Sequence, residues 1–417
     1  MTSHKKMKAA QKGFGKTLSF AVAGAALFGA NLAMAQEAAF SDGVIRIGVI
    51  NDRSGIYADM SGEGSAIAAR IAAESFGNAI NGVPIEIVVA DHQNKPDLGA
   101  SIATKWFDAD GVDVVVDVNN SAVSLALNAL MPSRKKMVLH NSVTSDISGK
   151  DCVPRALQWQ QTSYPAANNL VTKEMIDSGL DSFFIIAVDM TMGETAASAF
   201  TSAVEKIGGK VVGVARHPLN SADMSSYVLQ AQASGAKAIM LGNAGNDLGN
   251  VVRQLREYGI DLPVFAAIMT ADVVSSFGHD VMQGVYAMVP TLMTRDEESL
   301  KLKDEVEARW GKPFGPLPAS TYSATLNYLK AVQAVGTDDA DKVEAQIRSQ
   351  TINDATFQNG TIRPDGLHSH DMYLVTVKAQ DEVKMPGDYY NLIRTIPGDV
   401  ANEPIENSTC PLVKSKS

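Results

Sequence analysis

Residues 112–127 read VDVVVDVNNSAVSLAL. Asp113–Val118 is nearly continuous in valine, the composition of a strand covered on both faces. Asn119-Asn120-Ser121 then offers side chains that accept hydrogen bonds from the free N–H groups at a helix start. A helical period runs on to Met131. Strand, short polar loop and helix, in that order, form the repeating unit of a parallel α/β layer.

The unit recurs on both sides. Strand-like runs at Val44–Ile50, Ile85–Asp91 and Lys136–Asn141 flank it, with helical stretches at Ser61–Ala79 and Asp97–Asp110. A second series follows, with strands at Ser182–Asp189, Val211–Arg216, Ala238–Asn243 and Pro263–Ile268. Its helices fall near Gly193–Ile207, Met224–Ser234 and Asn246–Tyr258. Gly208-Gly209, Gly235 and Gly259 stand just past helix ends, where a left-handed residue closes the last turn. Two arrays in series predict an α/β chain of two doubly wound lobes.

After Gly284 the pattern changes. A strand at Gly284–Pro290 precedes long helices near Arg295–Trp310, Ala319–Val335 and Asp339–Ser349. Thr361–Val377 then reads as strand, Pro364-Asp365-Gly366 turn and strand. A chain that returns in this way predicts three hinge crossovers and a cleft between the lobes. The expected division is 36–157 plus 285–365 for the first lobe and 158–284 plus 366–417 for the second. Ligands of open α/β sheets bind beyond the carboxyl ends of the strands. The strand-end loops of both lobes should therefore face one cleft.

Residues 1–35 carry Lys5, Lys6, Lys8, Lys12 and Lys16, no acidic residue, and an apolar run at 18–33. Ala33-Met34-Ala35 fits the small-x-small cleavage pattern, so an export signal removed after Ala35 is expected, leaving the protein in the periplasm. No cysteine follows the run for a lipid anchor. Removing the segment takes away five of the 36 basic residues and none of the 46 acidic ones, so the remainder is more acidic than the whole chain at −10. That balance argues against nucleic acid or anionic membrane as partners. No later apolar run approaches the ~20 residues of a membrane-spanning helix. Cys152 and Cys410 are the only cysteines. In an oxidising compartment they are expected to pair, with two free thiols or a metal pair as the alternatives.

The motifs for chemistry are sparse. Gly62-x-Gly64, with Asp91 ending the next strand, is a fragment of a dinucleotide fingerprint, but Ile67 stands where a third glycine belongs. A NAD-dependent enzyme is thus a remote alternative, and a strand-end loop placing Tyr57 in the cleft is the preferred reading. His368-x-His370-Asp371 has a metal-like spacing without an evident third ligand; solvated hairpin histidines are expected there. Neither a nucleophile elbow nor a phosphate loop is present, and no cofactor or metal is expected. Asn407-Ser408-Thr409 matches a glycosylation sequon by chance.

IRIGVINDRSGIYADMSGEGSAIAARIAAE at 45–74, IEIVVADHQNKPDLGASIATKW at 85–106, the stretch at 112–127, VVRQLREYGI at 251–260 and STYSATLNYLKAV at 320–332 carry a wider likeness. In order and spacing they resemble the periplasmic solute-binding proteins of ABC importers, in the group typified by Leu/Ile/Val-binding proteins. VPRALQWQQTSYPAANNL at 153–170 and RHPLNSADMSSYVLQAQASGAK at 216–237 resemble a proteobacterial subgroup, some of whose neighbours bind aromatic or other organic acids. The resemblance implies the type I periplasmic binding protein fold, no enzymatic activity, and delivery of a ligand to an inner-membrane ABC permease. A monomer is expected. Presentation of the ligand to a sensor kinase is an alternative that the same fold would serve.

In the amino-acid-binding members, the resemblance places the ligand carboxylate at Ser121, with further contacts at Ser142 and Thr144. The tyrosine of the second lobe's first loop falls on Met192. The acid that holds the ammonium falls near Met269. A buried ammonium without a carboxylate is costly, so a small organic acid, aromatic in preference, is expected over the alternative of a branched-chain or other amino acid. Trp159, Met192 and Met269 are expected to form an apolar wall. Asn243 or Asn246 would donate hydrogen bonds.

Overall fold

The structure is a computed structural model that describes residues 40–414. The expected export signal at 1–35 lies outside the described residues. Six strands build the first sheet: β1 (Ile45–Asn51), β2 (Ala79–Ile80), β3 (Val83–Asp91), β4 (Val114–Val118), β5 (Met137–His140) and β6 (Ala156–Gln158), in the order β2-β3-β1-β4-β5-β6. All neighbours pair in parallel except β2 with β3. The second sheet contains β7 (Ser182–Val188), β8 (Lys210–His217), β9 (Ala238–Gly242), β10 (Val264–Ala266) and β11 (Tyr286–Val289). After the two-residue strands β12 (Thr361–Ile362) and β13 (His368–Ser369), β14 (Met372–Val377) and β15 (Tyr390–Ile396) complete the second sheet in the order β15-β14-β11-β10-β9-β7-β8.

Each sheet is covered on both faces, as its valine- and isoleucine-rich strands require. On β7, Phe183, Ile185 and Ala187 enter one core cluster while Phe184 and Ile186 enter the other. On β4, Val114 and Val116 face one cluster, and Val115 faces the opposite one together with Val118. The two-residue alternation slips there because Asp117 sits in a bulge with φ 58°. A single irregular residue thus re-aims the loop that follows.

Several expectations shift. The helix expected to Ala79 ends at Glu74, since Gly77 and Asn78 take positive φ and turn the chain into β2. The strand at 286–289 pairs within the second sheet, so the second crossing follows it, at 290–296, and does not fall at 284. Gln158 belongs to β6 and bridges Leu367, so the first and third crossings lie near 159–162 and 370–371. Residues 403–410, placed with the second lobe by the sequence, return to the first. Glu403 O accepts from Arg363 at 2.6 Å, and Cys410 is joined to Cys152 with Cα atoms 5.4 Å apart.

His368 and His370 are buried, against the expectation of solvated residues. Their segment threads between the lobes. Trp159 and Phe357 pack on them with ring centroids 4.8 and 4.3 Å away, and burial holds the His370 imidazole near a pKa of about 4. Gly64, read as half of a dinucleotide motif, lies beneath the Trp310 ring, where any Cβ would collide. It serves helix packing.

Candidate functional site

Loops from the carboxyl ends of both sheets meet at a cavity of about 770 Å³, solvent at its mouth included. From the first lobe, the loop after β1 is organised by the buried Asp52 carboxylate. It accepts from the backbone N–H of Gly55 at 2.8 Å and of Tyr57 at 3.0 Å, and from Asn94 Nδ2 at 2.7 Å. This turn presents Tyr57 and Met60 to the cavity. Burial, with Asp247 and Asp52 nearby, pushes the Tyr57 phenol upward, so it stays a neutral donor.

After β4, Asn119 donates to Ser61 Oγ at 2.8 Å and shares a 3.1 Å contact with His92 Nε2. Asn120 caps the helix Ser121–Asn128, its Oδ1 accepting from the N–H groups of Ala122 and Val123. Those two donors are therefore occupied. Ser121 lines the cavity, and its buried hydroxyl has no hydrogen-bond partner. After β5, Asn141 also lines the cavity and is tied from beneath to Asp117. Burial raises Asp117 to a pKa of about 6, against hydrogen bonds from neighbouring side chains that lower it.

The second lobe contributes Met190, Thr191 and Met192 after β7, Ala244 after β9, and Ile268, Met269 and Thr270 after β10. Met190 and Ala244 precede the helices Thr191–Lys206 and Gly245–Glu257, and neither helix has a side-chain cap. Their first N–H groups are thus left to solvent or a ligand. Gly193 permits this approach, because a Cβ there would collide with the Val188 carbonyl. Met60, Ala244 and Leu317 form an apolar cluster across the cleft, with Tyr57, Met192 and Ile268 against it.

Among the lining residues five are methionines, Met60, Met190, Met192, Met269 and Met288, and none carries a charge. Of the residues expected from the sequence, Tyr57, Ser121, Met192 and Met269 come together here. The others do not line the cavity. Trp159 is fully buried in the first lobe's core, on the same strand face as Leu157, so its ring offers no wall. Ser142 and Thr144 are buried outside the lining, their backbone carbonyls accepting from Gln158 Nε2 at 2.9 Å. Asn243 is buried against His217 Nε2 at 3.0 Å, and Asn246 is exposed. Gln160 and Gln161, which do line the cavity, were missed. Alternation along the short strand Ala156–Gln158 turns Trp159 inward and so points Gln160 the other way, while no local signal announces Gln161.

Residues 44–382 match the family model described as periplasmic binding protein. A periplasmic binding protein from Burkholderia mallei is 36% identical, with TM-score 0.85, over 89% of this chain and 100% of that one. A branched chain amino acid ABC transporter periplasmic ligand-binding protein from Burkholderia xenovorans LB400 is 34% identical, with TM-score 0.79, over 88% and 100%. Leu/Ile/Val-binding protein homolog 8 of Brucella suis is 27% identical over 82% of this chain and 89% of its own length. The chain belongs to the periplasmic binding proteins, the non-enzymatic components of ABC transporters that bind a small ligand and deliver it to a permease.

Proposed function

We propose that the interlobe cavity takes a small organic carboxylate with an apolar body, aromatic in preference, and not an α-amino acid. The observation that carries the reading is the pairing of an uncharged cavity with free donors at its polar end. The Ser121 hydroxyl lacks a partner, and the helices beginning at Thr191 and Gly245 bring uncapped N-termini to the opposite wall. Aligned peptide dipoles place partial positive charge there, which supports an anion without a formal cation. An ammonium has no such support, since no carboxylate lines the cavity. The five thioethers are polarizable and favour contact with aromatic rings.

In this reading the protein is exported, loses residues 1–35, and works as a monomer that closes about its three crossings. N-terminal sequencing of periplasmic protein beginning at Gln36 would support the export step. The name of the 34%-identical Burkholderia xenovorans protein favours a second reading, a branched-chain amino acid ligand. A thermal-shift screen against amino acids, benzoates, phenylpropenoids and short keto or hydroxy acids separates the two. A micromolar ligand at millimolar dose adds about 4 kcal/mol of stability. A dominant shift with leucine or valine and none with the acids would overturn the carboxylate reading.

A further inference from the structure

Asn119 and Asn120 spend their amides on the scaffold. Asn119 engages Ser61 and His92, and Asn120 engages its own helix and Asn94. Asn141 differs. Its Nδ2 donates to Asp117 Oδ1 at 3.0 Å, to Thr321 Oγ1 at 3.0 Å and to the Leu317 carbonyl at 3.3 Å. Thr321 Oγ1 in turn donates to the Leu317 carbonyl, so it meets Asn141 as an acceptor. Turning the amide over would set Oδ1 against the Leu317 carbonyl and the Asp117 carboxylate. The network therefore fixes which end is which.

Asn141 is 1% exposed, lines the cavity, and its Oδ1 has no donor. A buried amide oxygen accepts and cannot donate, and leaving it unpaired is unfavourable. The residue sits beside Val118, to whose carbonyl its own N–H donates at 3.1 Å, just before the Asn119–Ser121 loop. Asn141 thus brings an unpaired acceptor to the lining that also holds the Ser121 hydroxyl.

We propose that Asn141 Oδ1 is a specificity determinant that selects ligands bearing a hydroxyl donor, so the cognate class is a hydroxy-substituted organic acid. The inference rests on the carboxylate reading above. It requires more than an anion: the ligand must bring a proton to Asn141 while its carboxylate meets Ser121 and the helix N-termini. A parent acid without the hydroxyl, or its methyl ether, leaves the amide oxygen dry and unpaired.

Calorimetric titration of matched probes tests this. The sets are benzoate with the 2-, 3- and 4-hydroxybenzoates and their methoxy counterparts; phenylacetate with mandelate and O-methylmandelate; and 4-methylvalerate with 2-hydroxyisocaproate, alongside leucine. At least one hydroxy acid should bind ten- to a hundredfold more tightly than both its parent and its ether. In Asn141→Leu that gap should collapse, the hydroxy acid losing more affinity than its parent or its ether. Equal binding of a hydroxy acid, its parent and its ether by the wild-type protein overturns the inference and leaves the carboxylate reading standing, whether or not the variant folds. Binding of leucine with no acid, or of no probe at all, overturns the carboxylate reading and the hydroxyl assignment with it.

Discussion

The two walls of the cleft are made differently. On the first lobe's side, Asp52, Asn94, Asn119, Asn120, Asn141 and Asp117 form a hydrogen-bonded web that fixes each loop before any ligand arrives. On the second lobe's side, Met190, Met192, Met269 and Met288 present thioethers, and two helix N-termini stand uncapped. One wall supplies directional groups held in place, and the other supplies a deformable apolar surface with a diffuse positive potential. Selectivity should therefore reside in the first lobe and tolerance of ligand shape in the second. A protein that closes on its ligand gains from this arrangement, because closure excludes water from the polar contacts and strengthens them.

The largest effect concerns the lobe that holds the polar wall and also fastens the end of the chain. Reducing Cys152–Cys410, separated by 258 residues, should lower stability by as much as roughly 5 kcal/mol through released chain entropy. Denaturant midpoints with and without reductant, with thiol labelling to confirm reduction, read the change. Identical midpoints would show that the returning tail contributes nothing.

Placing a charge on the second wall comes next. Met269→Glu should weaken binding of an organic acid a hundredfold or more, about 3 kcal/mol, because two carboxylates would share a cavity with no charged lining residue. Leucine binding by the same variant should improve. Retained acid affinity in a folded Met269→Glu protein would end the distinction drawn between the walls.

The web beneath the first wall should have a pH signature. Folded Asp117 holds its proton up to about pH 6, against 3.8 for its ordinary value, because burial opposes its charge. Between those values the folded state binds more protons than the unfolded, so this group's contribution to stability falls as pH rises from about 4 to about 6 and is level outside that window. The difference in unfolding free energy between wild type and Asp117→Asn isolates it from other carboxylates. That difference should change by on the order of 1 kcal/mol or more across the window. A flat difference would mean that Asp117 is solvated.

The smallest effects divide recognition from scaffold within one helix. Ser121 Oγ has no partner, so Ser121→Ala should leave stability within about 0.5 kcal/mol and weaken acid binding roughly tenfold. Ser124 Oγ donates to the Val118 carbonyl at 2.8 Å, so Ser124→Ala should cost about 1 kcal/mol of stability and leave affinity unchanged. Paired thermal melts and titrations would expose any exchange of these roles.

Four of the nine expected ligand residues line the cavity, and the division has a cause. Ser121 and Met192 lie just past the carboxyl ends of β4 and β7, whose apolar runs are plain in the sequence and whose chain emerges at the cleft. Trp159 follows a three-residue strand, and two-residue alternation sends it to the core with Leu157 and turns Gln160 to the cavity; Gln161 also lines the cavity, outside that alternation. Ser142 and Thr144 are captured by Gln158 through their carbonyls, a contact across 14 to 16 residues that no local pattern announces. The histidine pair at 368 and 370 was misplaced for a similar reason: a polar, turn-like stretch is solvated only when nothing threads past it, and here two crossings pack together.

The sequence by itself determined the layer class and the two serial arrays; it left the pairing of Cys152 and Cys410 as an expectation, and the absence of an acid near Met269 came from the family resemblance. Periodicity and residue type follow from interactions within one element, so they are legible along the chain. Tertiary structure alone decided which side of each loop faces the ligand, where the crossings fall, and that Asn141 has an unpaired oxygen. Those outcomes depend on a bulge at Asp117, on the parity of β6 and on hydrogen bonds spanning up to 180 residues, such as Asn141 to Thr321. A one-residue shift in any of them reverses a side chain's direction.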